Sequence, residues 1–205
     1  MKKYFHILIF PILGLFIAGY MGIEKYKNWE KQKLNDLYLA VFQFEKENYK
    51  EALMGDDTFM GFFEFLNKYR NNSISDICKL YIGICLVKIK DYKNGIDYLK
   101  EVKIKEPIIK AKCLAFIANA FVELKEYQKA IDYFLKASKC FKNDIDNPDF
   151  ILNAVLCFEK LEKYNNALEL VEQTLKEYTN TKKHEVLINK KNQLLNKIYN
   201  KKLSK

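Results

Sequence analysis

The chain opens on one unbroken apolar run and then changes to short apolar-faced stretches separated by polar turns. Tyr4 to Ile23 is a stretch of twenty residues with no formal charge at neutral pH apart from any on His6. As a helix it would measure about 30 Å, the thickness of a bilayer core, so the pattern predicts a transmembrane anchor over residues 1–25. No small-x-small cleavage pattern is evident around Phe16-Ile17-Ala18-Gly19-Tyr20-Met21-Gly22, which favours an uncleaved anchor over a signal peptide. Gly14, Ala18 and Gly22 recur at four-residue spacing, a small-residue stripe of the kind along which membrane helices approach, although such residues are common in any membrane helix. Lys2 and Lys3 on one side and Lys25, Lys27, Lys31 and Lys33 on the other leave the orientation open.

Beyond the anchor the pattern repeats. Leu80-Tyr81-Ile82-Gly83-Ile84-Cys85-Leu86 precedes Asp91-Tyr92-Lys93-Asn94-Gly95-Ile96. Ala115-Phe116-Ile117-Ala118-Asn119-Ala120-Phe121 precedes Glu126-Tyr127-Gln128-Lys129-Ala130-Ile131 in the same way. Leu152-Asn153-Ala154-Val155-Leu156-Cys157-Phe158 precedes Lys163-Tyr164-Asn165-Asn166-Ala167-Leu168. The turn tyrosines Tyr92, Tyr127 and Tyr164 lie 35 and 37 residues apart, the extra length falling in the polar stretch Lys142 to Pro148, which suits a loop. Each tyrosine is followed three residues later by Gly95, Ala130 or Ala167, and four residues on by Leu99, Phe134 or Val171. A small residue lets two antiparallel helices touch, and the large one fills the gap between neighbours. Pro107 follows the second helix of its repeat, where it can end that helix.

A divergent copy lies upstream. Tyr49 and Ala52 supply the turn tyrosine and small residue, Met54-Gly55-Asp56-Asp57 interrupts, and Gly61-Phe62-Phe63 restarts the second-helix pattern. Gly61 and Gly95 are 34 residues apart. Downstream, His184 to Lys202 reads as an amphipathic helix closing the last repeat. The expected architecture is therefore all-α: an anchor over 1–25, an α-solenoid of about four helical hairpins over 26–183, and a capping helix with a basic tail over 184–205. Tyr49, Ala52, Gly61, Gly83, Tyr92, Gly95, Ala118, Tyr127, Ala130, Phe134, Tyr164 and Ala167 are its repeat-packing residues.

Charge changes this picture little. The net charge is +9, but Arg70 is the sole arginine among 35 basic residues, so the planar forks that read guanine or clamp phosphate are nearly absent. The lysines are dispersed, and nucleic acid is not expected as a partner. Cys78, Cys85, Cys113, Cys140 and Cys157 are odd in number and lack CxxC spacing, which signals neither a disulfide framework nor a zinc site.

The 34-residue period and these offsets resemble tetratricopeptide repeats, although Lys79, Leu114 and Ile151 replace the consensus tryptophan and Gly95 stands where alanine is usual. The order of the anchor, Ala52-Leu53-Met54-Gly55-Asp56-Asp57, Gly61-Phe62, Tyr81-Ile82-Gly83-Ile84-Cys85 and Asp132-Tyr133-Phe134 is similar to bacterial membrane-anchored tetratricopeptide proteins related to the ancillary subunit of the Sec translocon. That resemblance implies a single-pass protein of the bacterial inner membrane. Its solenoid would be periplasmic, its partners translocon components or exported clients, and its role that of a chaperone-like scaffold near protein export. An assembly factor with a single stoichiometric partner is the alternative. Free thiols sit uneasily in an oxidising compartment unless they are buried.

No catalytic chemistry, cofactor or small-molecule substrate is expected. His6 and His184 stand at opposite ends of the chain. Asp56-Asp57 lacks the alternating acidic ligands of a calcium loop, so no metal site is expected there, and Asp144, Asp146 and Asp149 read as loop and cap residues. The functional surface is then the groove lined by the first helix of each hairpin. Its candidates are Leu37, Tyr38, Val41 and Phe44; Leu80, Tyr81, Ile84 and Val87; Phe116, Asn119 and Val122; and Leu152, Asn153 and Leu156. Leu80, Ile84 and Ala115 stand where a carboxylate clamp would need polar groups, so apolar, sequence-tolerant recognition is expected.

Overall fold

A computed structural model describes residues 5–70, 74–140, 146–178 and 183–203; side chains are described from Tyr20 in the first helix and from Pro148 in the helix that opens at Asp146. The chain divides into unit 1, Met1–Phe65, and unit 2, Leu66–Lys205.

Unit 1 is built on α1 (Phe5–Glu45), followed by α2 (Tyr49–Met54), the two-residue strands β1 (Gly55–Asp56) and β2 (Phe59–Met60), and the start of α3 (Phe62–Lys68). The expected transmembrane anchor is not found: among the described residues no helix is long and apolar enough to cross a membrane. Instead of stopping near residue 25, α1 continues for 41 residues through Glu24, Lys25, Lys27, Glu30, Lys31 and Lys33. The apolar stretch is thus the first half of a longer helix whose second half belongs to a hairpin. The small-residue stripe from Gly14 and His6 concern side chains outside the described residues.

Unit 2 contains three regular hairpins: α4 (Ile74–Lys88) with α5 (Tyr92–Lys100), α6 (Pro107–Glu123) with α7 (Tyr127–Lys139), and α8 (Asp146–Lys160) with α9 (Tyr164–Glu177). They are followed by α10 (His184–Leu203). Each of α4 to α10 packs on the next in order, and α4 also touches α6, so the unit grows by nearest-neighbour stacking. Pro107 opens α6 rather than ending α5, which stops at Lys100. Its fixed φ and missing N–H suit the first position of a helix, where that N–H would be unused. Part of the polar stretch expected as loop is the first turn of α8, and the rest, with Asp144, lies outside the described residues.

One turn joins every hairpin. Glu47, Lys90, Lys125 and Glu162 all have positive φ, between 53° and 70°, and each lies two residues before a turn tyrosine. Lys90 N–H donates to the Val87 carbonyl at 3.1 Å and Asp91 N–H to the Leu86 carbonyl at 2.8 Å. The same pair recurs as Lys125 to Val122 and Glu126 to Phe121, as Glu162 to Glu159 and Lys163 to Phe158, and in unit 1 as Glu47 to Phe44 and Asn48 to Gln43. This is a Schellman end, in which one left-handed residue lets two N–H groups turn back and satisfy the last carbonyls of the first helix.

The turn fixes which residues meet. Nine residues before the tyrosines stand Ala40, Gly83, Ala118 and Val155, and three after them Ala52, Gly95, Ala130 and Ala167, all buried. Gly83 and Gly95 bring α4 and α5 closest: a Cβ on Gly83 would lie 2.8 Å from Leu99 Cδ2, and one on Gly95 3.0 Å from the Gly83 carbonyl oxygen. Leu99, Phe134 and Val171, seven residues after the tyrosines, are essentially inaccessible. Gly61 plays a different part from Gly95. It lies between β2 and α3, and a Cβ there would collide with the backbone of Leu53, Met54 and Gly55.

At the far end, Leu187 and Leu194 of α10 are fully buried in a cluster with Ile151, Val155, Val171 and Tyr178. The polar side of this closure is ionic. Glu159 of α8 is only 12% exposed at its side chain and accepts from Lys190 at 3.3 Å and Lys197 at 2.9 Å. Lys201 and Lys191 hold the Glu162 and Glu172 carboxyls below the usual carboxylate range.

Candidate peptide-binding groove

In unit 2 the first helices α4, α6 and α8 present equivalent positions twelve, eleven, eight and five residues before their turn tyrosines. Those spacings fall on one helix face, so side chains from successive hairpins line up as rows. The rows are Leu80, Ala115 and Leu152; Tyr81, Phe116 and Asn153; Ile84, Asn119 and Leu156; and Val87, Val122 and Glu159.

Burial grades along them. Asn119 is exposed, Leu156 is 45% exposed, and Leu80, Tyr81, Val87, Phe116, Val122, Leu152 and Asn153 are half-buried. Ile84 is buried and serves the packing. The surface is therefore apolar with amides set into it, and Leu156 stands out for its exposure on a structured helix. In unit 1 the same offsets place Leu37, Tyr38, Val41 and Phe44 on one face of α1. Tyr38 there is exposed, and Phe44 lies edge-on to Tyr49 with ring centroids 5.7 Å apart.

Ile77, three residues before Leu80, extends the α4 row and is 42% exposed. Its counterparts in the other hairpins, Lys112 and Asp149, are charged, so no periodic apolar signal marks it in the sequence. Glu159 was likewise unrecognised as a groove-row residue; its carboxylate is taken up by the lysines of α10. Asp149 pairs with Lys183 at 2.8 Å, and Lys79, in the place of a consensus tryptophan, pairs with Glu101 at 2.9 Å. A cleft of about 320 Å³ opens between the second helices α7 and α9. Ile151, another of the tryptophan replacements, lies in its wall with Thr174 and Tyr178. Ile151 is the contribution of α8 to that wall, and none of the groove-row residues lines the cleft.

Asp56 and His184 are occupied by structure. Asp56 Oδ1 accepts from Thr58 N–H at 2.7 Å, Thr58 Oγ1 at 2.6 Å and Phe59 N–H at 3.2 Å, closing the β1–β2 turn. His184 Nδ1 lies 3.2 Å from the Tyr178 carbonyl oxygen. Among the described residues no group of three His, Cys, Asp or Glu side chains is placed to hold a metal. Cys78, Cys85, Cys113 and Cys157 are buried, and Cys140 is half-buried. Burial pushes the Cys78 and Cys85 thiols up to about 12 and those of Cys113 and Cys157 to about 11. These four remain protonated and unreactive at neutral pH.

No family model matches the chain, and no curated protein matches it. Among solved structures it is similar to one described as "MamA MSR-1 C2", with a TM-score of 0.50 and 13% identity, over 83% of this chain and 98% of that one. At that identity the likeness speaks to fold alone. MamA is a protein of tetratricopeptide-like type. The likeness, the repeated Schellman turns and the paired small residues agree that this chain has a tetratricopeptide-type helical-repeat fold.

Proposed function

We propose that the chain is a protein-interaction scaffold whose unit 2 holds an apolar segment of a partner along α4, α6 and α8. The observation that carries this reading is the alignment of exposed and half-buried apolar and amide side chains, Tyr81, Phe116, Asn119, Asn153 and Leu156, at equivalent positions of successive first helices. Aromatic and aliphatic side chains supply contact area, and the amides of Asn119 and Asn153 can pair with the backbone of a bound segment. No step of this activity is chemical; the protein holds and releases.

The narrower role is a chaperone-like one near protein export, on the periplasmic side of the bacterial inner membrane, as the family resemblance implies. Two features support it. A groove row of Leu80, Ala115 and Leu152 has no fixed charge to demand one sequence, which suits many clients. Burial of four of the five thiols shields them from oxidation, with only Cys140 half-buried. The role is proposed without a membrane-spanning helix.

The test is binding of the purified full chain to an array of peptides from exported proteins, beside Leu156→Glu and Asn119→Ala variants. Both side chains are exposed, so the fold is expected to survive. Leu156→Glu is expected to weaken bound peptides about tenfold or more, and Asn119→Ala by a smaller factor. Peptide binding unchanged in both variants would remove the groove reading. Binding confined to a single sequence would leave the groove and remove the many-client role.

A further inference from the structure

The first helix has a second apolar stripe, separate from the groove of unit 2. Tyr20, Ile23, Lys27, Glu30, Leu34 and Leu37 of α1 follow one another at alternating spacings of three and four, the seam of a coiled coil. Tyr20, Ile23 and Leu34 are 69%, 59% and 58% exposed, Lys27 and Glu30 are exposed, and Leu37 is half-buried. A row of large apolar side chains on a long helix with two charges at its centre needs a partner that answers both features.

The sequence of the stripe is self-complementary when reversed. Laid antiparallel about a point between Asn28 and Trp29, the helix places Tyr20 on Leu37, Ile23 on Leu34 and Lys27 on Glu30 of the second copy. Each pairing occurs twice by symmetry, giving four apolar layers around two central Lys–Glu layers. Beside the seam, Glu24 of each helix comes opposite Lys31 of the other. A parallel pair in register would set Lys27 on Lys27 and Glu30 on Glu30, so the charged layers select the antiparallel arrangement. Within one chain Glu30 already lies 3.6 Å from Lys33 Nζ and 3.4 Å from Tyr26 Oη. Lys33 is buried and the Tyr26 contact is exposed, but both contacts go to Glu30 Oε1, and the Glu30 side chain is itself 48% exposed, so its carboxylate can also meet a partner's lysine.

We infer that the chain self-associates as a two-fold antiparallel pair through α1, from Tyr20 to Leu37, with Lys27 and Glu30 of the two copies forming the central layers. The self-association is independent of what unit 2 binds.

Sedimentation of the full-length protein over a range of concentrations tests it. Wild type is expected to form dimers. Lys27→Glu alone and Glu30→Lys alone, each of which sets like charges across the seam, are expected to weaken the dimer at least about tenfold. The double variant Lys27→Glu/Glu30→Lys is expected to restore it, because the exchanged charges again oppose one another. Circular dichroism of each variant checks that folding is intact. A monomeric wild type overturns the inference. So does a double variant as dissociated as the singles, or single variants that dimerise as wild type does.

Discussion

Units 1 and 2 share the turn that joins two helices, but only unit 2 carries its second helices to full length. Seven residues after the turn tyrosine, α5, α7 and α9 offer Leu99, Phe134 and Val171 to the core, whereas unit 1 offers Asp56. A carboxylate at an interior position has no counterion to meet, so the helix ends first. Gly55, at φ 72°, stops α2, and Asp56 turns its carboxylate to Thr58, whose hydroxyl and N–H hold it below the usual carboxylate range. The lesson is that the turn and the first small-residue contact are set locally. Continuation of the second helix depends instead on the residues one turn further on, which in unit 1 are Gly55 and Asp56.

The largest expected effect comes from importing that aspartate into unit 2. Phe134→Asp removes one of the largest fully buried side chains and leaves a carboxylate in its place. The expected cost is at least about 4 kcal/mol, with loss of the second half of α7. Urea unfolding and far-ultraviolet circular dichroism measure it. A cost under about 1 kcal/mol would mean that this position does not decide whether the second helix continues.

A middle-sized effect separates the two kinds of glycine. At Gly83 a new methyl meets mainly the Leu99 side chain, with the Gly95 carbonyl oxygen 3.1 Å away. At Gly61 it meets backbone atoms of Leu53, Met54 and Gly55, which cannot move without opening the hairpin. Gly61→Ala is therefore expected to cost about 3 kcal/mol and Gly83→Ala about 1 kcal/mol. Hydrogen exchange resolved by segment is the measurement, with faster exchange expected in 49–65 for the first and in 74–100 for the second. The reverse order of costs would show that the helix contact of α4 and α5 is the tighter of the two.

Much of this was legible beforehand, for a physical reason. Tyr92, Tyr127 and Tyr164 with Gly95, Ala130 and Ala167 form a periodic signal because every hairpin repeats the same contact, and periodicity survives divergence better than any one residue. The second-helix break was visible as Met54-Gly55-Asp56-Asp57, but its form was not, since a two-residue strand pair has no pattern of its own. Gly61 was aligned with Gly95 by distance alone, and it does a different job because β1 and β2 reset the phase. The expected membrane span has no counterpart: among the described residues no helix is long and apolar enough, and the helix that holds the apolar stretch runs on through Glu24 to Glu45. The groove rows were found from the same periodicity, while Ile77 and Glu159 escaped because their neighbours in the row differ in character.

The smallest effect should appear in both units alike. Glu47, Lys90, Lys125 and Glu162 occupy the left-handed position of the Schellman end, where a Cβ crowds the following carbonyl and glycine is the least strained residue. Replacing Lys90 or Lys125 by glycine is expected to stabilise unit 2 by about 0.5–1 kcal/mol each, relief of strain outweighing the added freedom of the unfolded chain. Glu47→Gly should act equally in unit 1. Glu162→Gly should gain less, because Glu162 also accepts from Lys201 at 2.7 Å and that contact to α10 would be lost. Thermal melts of the four single variants rank them. A loss of stability in Lys90→Gly and Lys125→Gly would mean that the lysines make surface contacts worth more than the strain. A gain at Glu162 equal to theirs would mean that the Lys201 pair contributes nothing to holding the closing helix.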